Sequence, residues 1–181
     1  MAGLSRHTTA SSIAVDAFGV RMTPRQQLAR RIHTLRAGGD VGTIVLANGC
    51  FDLLHAGHIR YLQDARSRGD FLIVALNSDR SVQEIKGPGR PVMALDERAE
   101  IIGALRCVDA VTSFDEADLE TTLRALRPDV HAKGSDYTAA SVPEAAVDRE
   151  LGIMIAICGD PKDHSTSELL RRIAHETSDD R

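Results

Sequence analysis

Thr43-Ile44-Val45-Leu46-Ala47-Asn48-Gly49-Cys50-Phe51-Asp52-Leu53-Leu54-His55-Ala56-Gly57-His58 is the stretch on which the fold turns. Residues 43–47 are apolar and β-branched, which predicts a buried strand. Residues 59–65 have the pattern of a helix. The segment between them, 48–58, is therefore the strand-to-helix turn of an α/β unit. Such a turn brings free backbone N–H groups and the positive end of a helix dipole to the carboxyl edge of a sheet, where both favour a bound phosphate. His55 and His58 are three residues apart, a spacing that puts them on one face of the first helical turn. Gly57 between them leaves the backbone open to a bulky group. Two surface histidines at a helix start are the plain alternative, but the strand, the glycine-containing turn and the helix favour a nucleotide site.

Working outward, residues 70–76 form a continuous apolar run, predicting a strand covered on both faces. Strand, helix and strand within about thirty-five residues make a βαβ unit with parallel strands. Further strands are expected at 108–113, 129–133 and 153–158. Helices are expected over 24–37 (Thr23 and Gln26 as capping box, Pro24 at the first position), from Leu95 (apolar face Ile101, Ile102, Leu105), over 115–126 and from Ser141 to about Gly152 (Ser141 and Glu144 as capping box). A last helix begins at Ser165, boxed by Glu168. Five strands alternating with helices predict a doubly wound, five-stranded parallel sheet of the Rossmann-like type. Residues 1–22 read as a flexible tail, 23–176 as one domain and 177–181 as a frayed end.

Composition narrows the function. A net charge of −4 over 181 residues implies no strong attraction to nucleic acid or anionic membranes. Cys50, Cys107 and Cys158 are scattered without CxxC spacing, which suggests a reducing compartment and no structural zinc. No membrane-length apolar run and no secretory signal are apparent, so a soluble cytoplasmic protein is expected. Lys86-Gly87-Pro88-Gly89-Arg90-Pro91 reads as a loop carrying two cations, suited to phosphate or simply solvated. Ser78 and Asp79 read as helix caps or as substrate contacts. Arg98, on the helix opened by Leu95, reads as a salt-bridged helical arginine.

Asn48-Gly49-Cys50-Phe51-Asp52 through His55-Ala56-Gly57-His58 resembles the HxGH motif of the nucleotidyltransferase superfamily. The similarity is greatest to bacterial heptose 1-phosphate adenylyltransferases and extends over about residues 24–173. It implies that a sugar 1-phosphate attacks the α-phosphorus of ATP, giving ADP-heptose and pyrophosphate, with Mg²⁺ carried by the nucleotide and no metal ligand from the protein. The phosphomonoester nucleophile is already an anion, with a second pKa of about 6, so no general base is required. Positioning and charge stabilisation are what the reaction needs.

By the same resemblance His55 and His58 are the catalytic residues. Gly49, Cys50, Phe51, Gly57, Lys86, Arg90 and Arg98 bind nucleotide, as do Lys133, Gly134 and Asp136 of the Lys133-Gly134-Ser135-Asp136-Tyr137 segment. So do Ser165, Thr166 and Ser167 at the last helix start. Asn48, Asp52, Asn77 and Asp79 fall to the acceptor substrate. Asp136 and Tyr137 also read as turn and packing residues. Near Ser165 the chain departs from the family, with Asp163 where a glycine is common and Ser167 where a threonine is. A homo-oligomer, dimer or tetramer, is implied by the family. A cytidylyltransferase acting on a polyol or glycerol phosphate, and a nucleotide-binding regulatory module without turnover, are the alternatives.

Overall fold

A computed structural model describes residues 22–160. Its eleven elements are, in chain order, α1 (Arg25–Gly38), β1 (Ile44–Gly49), α2 (Ala56–Ser67), β2 (Phe71–Asn77), α3 (Asp79–Lys86), α4 (Leu95–Gly103), β3 (Ala110–Phe114), α5 (Glu120–Leu126), β4 (Val130–Gly134), α6 (Ala145–Leu151) and β5 (Met154–Cys158). All five strands pair in parallel, in the order β3-β2-β1-β4-β5. The expected doubly wound sheet is the fold found. No helix among the described residues is long and apolar enough to cross a membrane.

The strand sequences explain the layering. Alternate strand residues face opposite sides. Val45 and Ala47 of β1, with Leu72, Val74 and Leu76 of β2, pack against Leu62 and Ala65 of α2 and Ala99 and Ile102 of α4. Ile44, Leu46, Phe71, Ile73 and Ala75 pack on the other side against Leu28 and Ile32 of α1, Leu123 of α5 and Val147 of α6. Every residue of β2 is buried, as its unbroken apolar run requires. The chain moves outward from β1 through β2 to β3, then crosses back to lay β4 on the other side of β1. The reversal opens a crevice beyond the carboxyl ends of β1 and β4, the place where ligands bind in such sheets.

Several local expectations need correction. The helix expected over 115–126 forms only from Glu120. Asp115 instead ties back to Ser78 and Arg80, and residues 115–119 run as irregular chain. Pro24 is the N-cap of α1, without a side-chain cap bond. Met22 bridges to Val111 and the Thr23 N–H is donated to the Val111 carbonyl, so this entry is drawn towards β3. Glu144 is the N-cap of α6, but its carboxylate reaches Lys133, while Ser141 turns to Thr138. On α4 the buried side is Arg98, Ala99 and Ile102, while Ile101 is exposed. The helix expected from Ser165 and both terminal segments lie outside the described residues.

Candidate active site

β1 ends in the turn Gly49-Cys50-Phe51. Phe51 adopts φ +47°, a conformation that a bulky residue holds only when its surroundings fix it. Its ring is held between those of His58 and Tyr61, at centroid distances of 5.2 and 6.3 Å. The Tyr61 hydroxyl donates to the Ala132 carbonyl at 2.8 Å, pinning α2 to β4. His55 is the N-cap of α2, and its N–H is donated to His58 Nδ1 at 3.4 Å. The two imidazoles stack with centroids 3.8 Å apart and planes 21° from parallel. Burial, then His55, then Lys86 push the His58 pKa down to about 4. His58 is therefore neutral near pH 7. With Nδ1 accepting, its hydrogen belongs on Nε2, where it is a donor.

Lys86 closes α3 and is exposed, with no ion pair among the described residues. Arg90 lies beyond it on the loop and donates to Asp52 Oδ2 at 2.5 Å. Asp52 Oδ1 accepts the Val92 and Met93 N–H groups at 2.6 and 3.1 Å. Asp52, expected to contact substrate, is thus occupied in fixing the loop that carries Arg90. Arg98 is buried and donates to the carbonyls of Met93, Cys50 and Asn77 and to Asp79 Oδ1, at 3.1, 2.6, 2.8 and 2.7 Å. Neither Arg98 nor Asp79 lines the crevice. Their geometry is that of the salt-bridged arginine. Ser78 caps α3, accepting the Ser81 N–H at 3.1 Å. Asn77 reaches the crevice and donates to Ser81 Oγ at 3.0 Å. Burial pushes the neighbouring Cys50 thiol up, as suits a filler rather than a nucleophile.

The opposite wall is β4 with the Ser135–Tyr137 turn and the start of α6. Lys133 Nζ lies 3.3 Å from both Asn48 Oδ1 and Glu144 Oε2, and 4.8 Å from the Tyr137 ring centroid. Lys133 and Glu144 are both nearly buried. Together the walls enclose a cleft of about 620 Å³. Of the expected site residues, Asn48 to Asp52 line it, with His55, Gly57, His58 and Asn77. Lys86, Arg90, Lys133, Gly134 and Asp136 complete that set. Ser165, Thr166 and Ser167 lie outside the described residues.

The sequence reading missed Phe114, Ala117, Asp118 and Leu119, which line a further part of the same cleft. It read 115–119 as helix. The usable signal was their place directly after a strand, at the ligand-binding edge. It also read Glu144 only as a capping-box partner of Ser141, whereas Glu144 is itself the N-cap residue of α6 and its carboxylate accepts from Lys133 and, at 3.4 Å, from the Leu119 N–H.

A cytidylyltransferase-like family model matches residues 46–172. The chain is similar to the bifunctional protein HldE of Methylobacillus flagellatus, 46% identical over 147 residues that cover 81% of this chain and 30% of that protein. The bifunctional protein HldE of Streptomyces coelicolor is 49% identical over 139 residues, covering 77% and 30%. The chain thus spans about a third of the length of these curated relatives. Among solved structures it is similar to the lipopolysaccharide core biosynthesis protein from Thermoplasma volcanium GSS1, with 30% identity, a TM-score of 0.55, and coverage of 64% of this chain and 93% of that one. Pantoate-beta-alanine ligase from Francisella tularensis shares the fold, at a TM-score of 0.58 and 16% identity over 82% of this chain and 69% of its own.

Proposed function

The chain belongs to the cytidylyltransferase-like family of HxGH nucleotidyltransferases, and on that premise we propose that it joins the AMP part of ATP to a heptose 1-phosphate, forming ADP-heptose and pyrophosphate. One observation carries this reading: the stacked His55 and His58 at the start of α2, where β1 and β4 part. The identity to bifunctional HldE proteins supports the sugar and the base. The catalytic unit is residues 23–176. A family match that runs to residue 172 supports including Ser165, Thr166 and Ser167 as phosphate contacts.

The chemistry is governed by charge. An oxygen of the heptose phosphate attacks the α-phosphorus, the bond to the β-phosphate oxygen breaks, and pyrophosphate leaves with the electron pair. No proton has to be removed from the nucleophile at neutral pH. What must be stabilised is negative charge on a five-coordinate phosphorus and on the leaving group. His58 offers an Nε2–H donor. The N-terminus of α2 adds the positive end of its dipole. Lys86 and Arg90 bring positive charge to the same wall, and Lys133 borders the other. Asp52 and Glu144, carboxylates of the cleft, are each engaged by a cation of the chain. In this reading Mg²⁺ would arrive with the substrate, as MgATP, and would offset part of the triphosphate charge.

Pyrophosphate release is the test, with each anomer of heptose 1-phosphate against ATP, CTP and GTP in turn, all with Mg²⁺. Release with ATP and one anomer is expected. Release with CTP alone, or only with a polyol or glycerol phosphate, would transfer the activity to a cytidylyltransferase. Nucleotide binding with no release from any pair would leave a regulatory module.

A further inference from the structure

A polar ladder runs behind the β4 wall, and the reaction as described does not use all of it. His131 and Lys133 are two apart on β4 and so share one face of the sheet. Glu144 and Asp148 are four apart at the start of α6 and share one face of that helix. Two strand residues span about 6.6 Å and four helical residues about 6 Å, so the two pairs match in spacing. The result is two rungs, Lys133 with Glu144 and His131 with Asp148, the second at 2.9 Å between Nδ1 and Oδ2. His131 and Asp148 are fully buried. Asp148 Oδ1 has no hydrogen-bond partner among the described residues, so His131 is the side chain that this carboxyl group serves.

Both rungs end on one atom. Asn48 Oδ1 lies 3.3 Å from Lys133 Nζ and 3.5 Å from His131 Nε2. Lysine can only donate, so the atom facing it must be the carboxamide oxygen. Nε2 must then carry a hydrogen to join it, leaving Nδ1 to share a hydrogen with Asp148. The carboxamide is held oxygen-inward, and its NH₂ is left at the cleft, which Asn48 lines. That NH₂ donates to nothing among the described residues.

We propose that His131, held by Asp148, is a positioning residue of this enzyme: it fixes Asn48 so that its side-chain NH₂ is presented to the phosphate of the acceptor. The orientation of Asn48 rests on these distances alone. The identity of the ligand as the acceptor phosphate rests on the proposed heptose 1-phosphate adenylyltransferase function. A buried polar pair with a purely structural role would hold β4 to α6 equally well, but it would not transmit to one amide in the cleft.

Asn48 and Asn77 are the two asparagines of the chain, so protein labelled with ¹⁵N-asparagine gives two side-chain NH₂ signals. Asp148→Asn is the conservative variant, which adds a third side-chain pair of its own, and His131→Gln, which adds none, is the second; each is first checked for a parental amide spectrum elsewhere. The expected result is a displaced or broadened Asn48 side-chain pair with the Asn77 pair unmoved. In the same variants KM for heptose 1-phosphate should rise about tenfold, the size of one lost hydrogen bond, while KM for ATP and kcat change much less. An unmoved Asn48 pair in both folded variants would overturn the proposal. So would a displaced pair with both KM values rising together. The amide readout requires no turnover. A parent protein that shows the expected Asn48 response but releases no pyrophosphate would count against the proposed function and leave the orienting role of His131 in place.

Discussion

The two walls of the cleft are built on opposite electrostatic plans. On the α2 side, His58 is neutral and stacked, and Lys86 has no ion pair among the described residues. On the β4 side, Lys133 is matched by Glu144 and His131 by Asp148 before any ligand arrives. The first wall keeps donors and positive potential for an incoming anion. The second keeps its shape through buried pairs, and in the Lys133–Glu144 pair the charges cancel, which lowers the penalty of burying them. A site for a polyanion needs both: one side that answers the ligand, and one that stays put while it does.

Removing one member from each wall should therefore give different kinds of defect. On the responsive wall, His58→Ala should lower pyrophosphate release by roughly 10²–10³-fold, as for loss of one transition-state donor. Binding of ATP, measured by calorimetry, should stay near that of the parent. Unchanged turnover would remove His58 from the mechanism. On the self-matched wall, Glu144→Ala leaves Lys133 buried without its carboxylate. Urea unfolding should show a loss of about 3 kcal/mol, the low end for breaking a buried pair. A variant as stable as the parent would mean that the two walls are less different than the geometry implies.

A smaller effect is expected where the first wall is itself held by a carboxylate. Asp52→Asn keeps an acceptor for the Val92 and Met93 N–H groups but loses the charge facing Arg90. KM for ATP should rise about tenfold, the scale of one charge-assisted hydrogen bond. A KM equal to the parent's would show that the Arg90 loop needs no anchoring charge.

The smallest effect is in proton uptake. The unfolded chain protonates a histidine near pH 6.5, whereas folded His58 waits until about 4. Its contribution to stability is therefore complete above about 6.5 and is lost as pH falls towards 4, because the unfolded chain takes the proton first. A bound triphosphate opposes that shift. Between these limits, ATP binding should take up a fraction of a proton, read from calorimetry in two buffers of different ionisation enthalpy. The uptake should vanish in His58→Ala.

What the sequence disclosed was whatever depends on neighbours in the chain. The β1 turn and α2 were readable because an apolar run, a glycine-containing turn and a three-residue histidine spacing lie within sixteen residues. β2 was readable because burial on both faces imposes an apolar residue at every position. Roles set by distant partners were not. The bond of Asp52 to Arg90 and the four segments that close around Arg98 come from residues far apart in the chain. Asp115 to Leu119 have the composition of a helix, and contacts with distant partners hold that segment out of one: Asp115 with Ser78 and Arg80, Glu116 with Arg25, and the Leu119 N–H with Glu144. Glu144 was misread because its partner lies on the preceding strand rather than at its own helix end.

The buried guanidinium of Arg98 has one more consequence. It joins the carboxyl ends of β1 and β2 to the chain entering α4, through Cys50, Asn77 and Met93. Segments linked in this way open together rather than one at a time. Amide hydrogen exchange at the floor of the cleft should then require the opening that exposes the whole core, and it should slow and quicken with global stability. Breathing that admits substrate and lets product out would fall to the exposed loop between Lys86 and Arg90, which can exchange quickly while the floor beneath it does not.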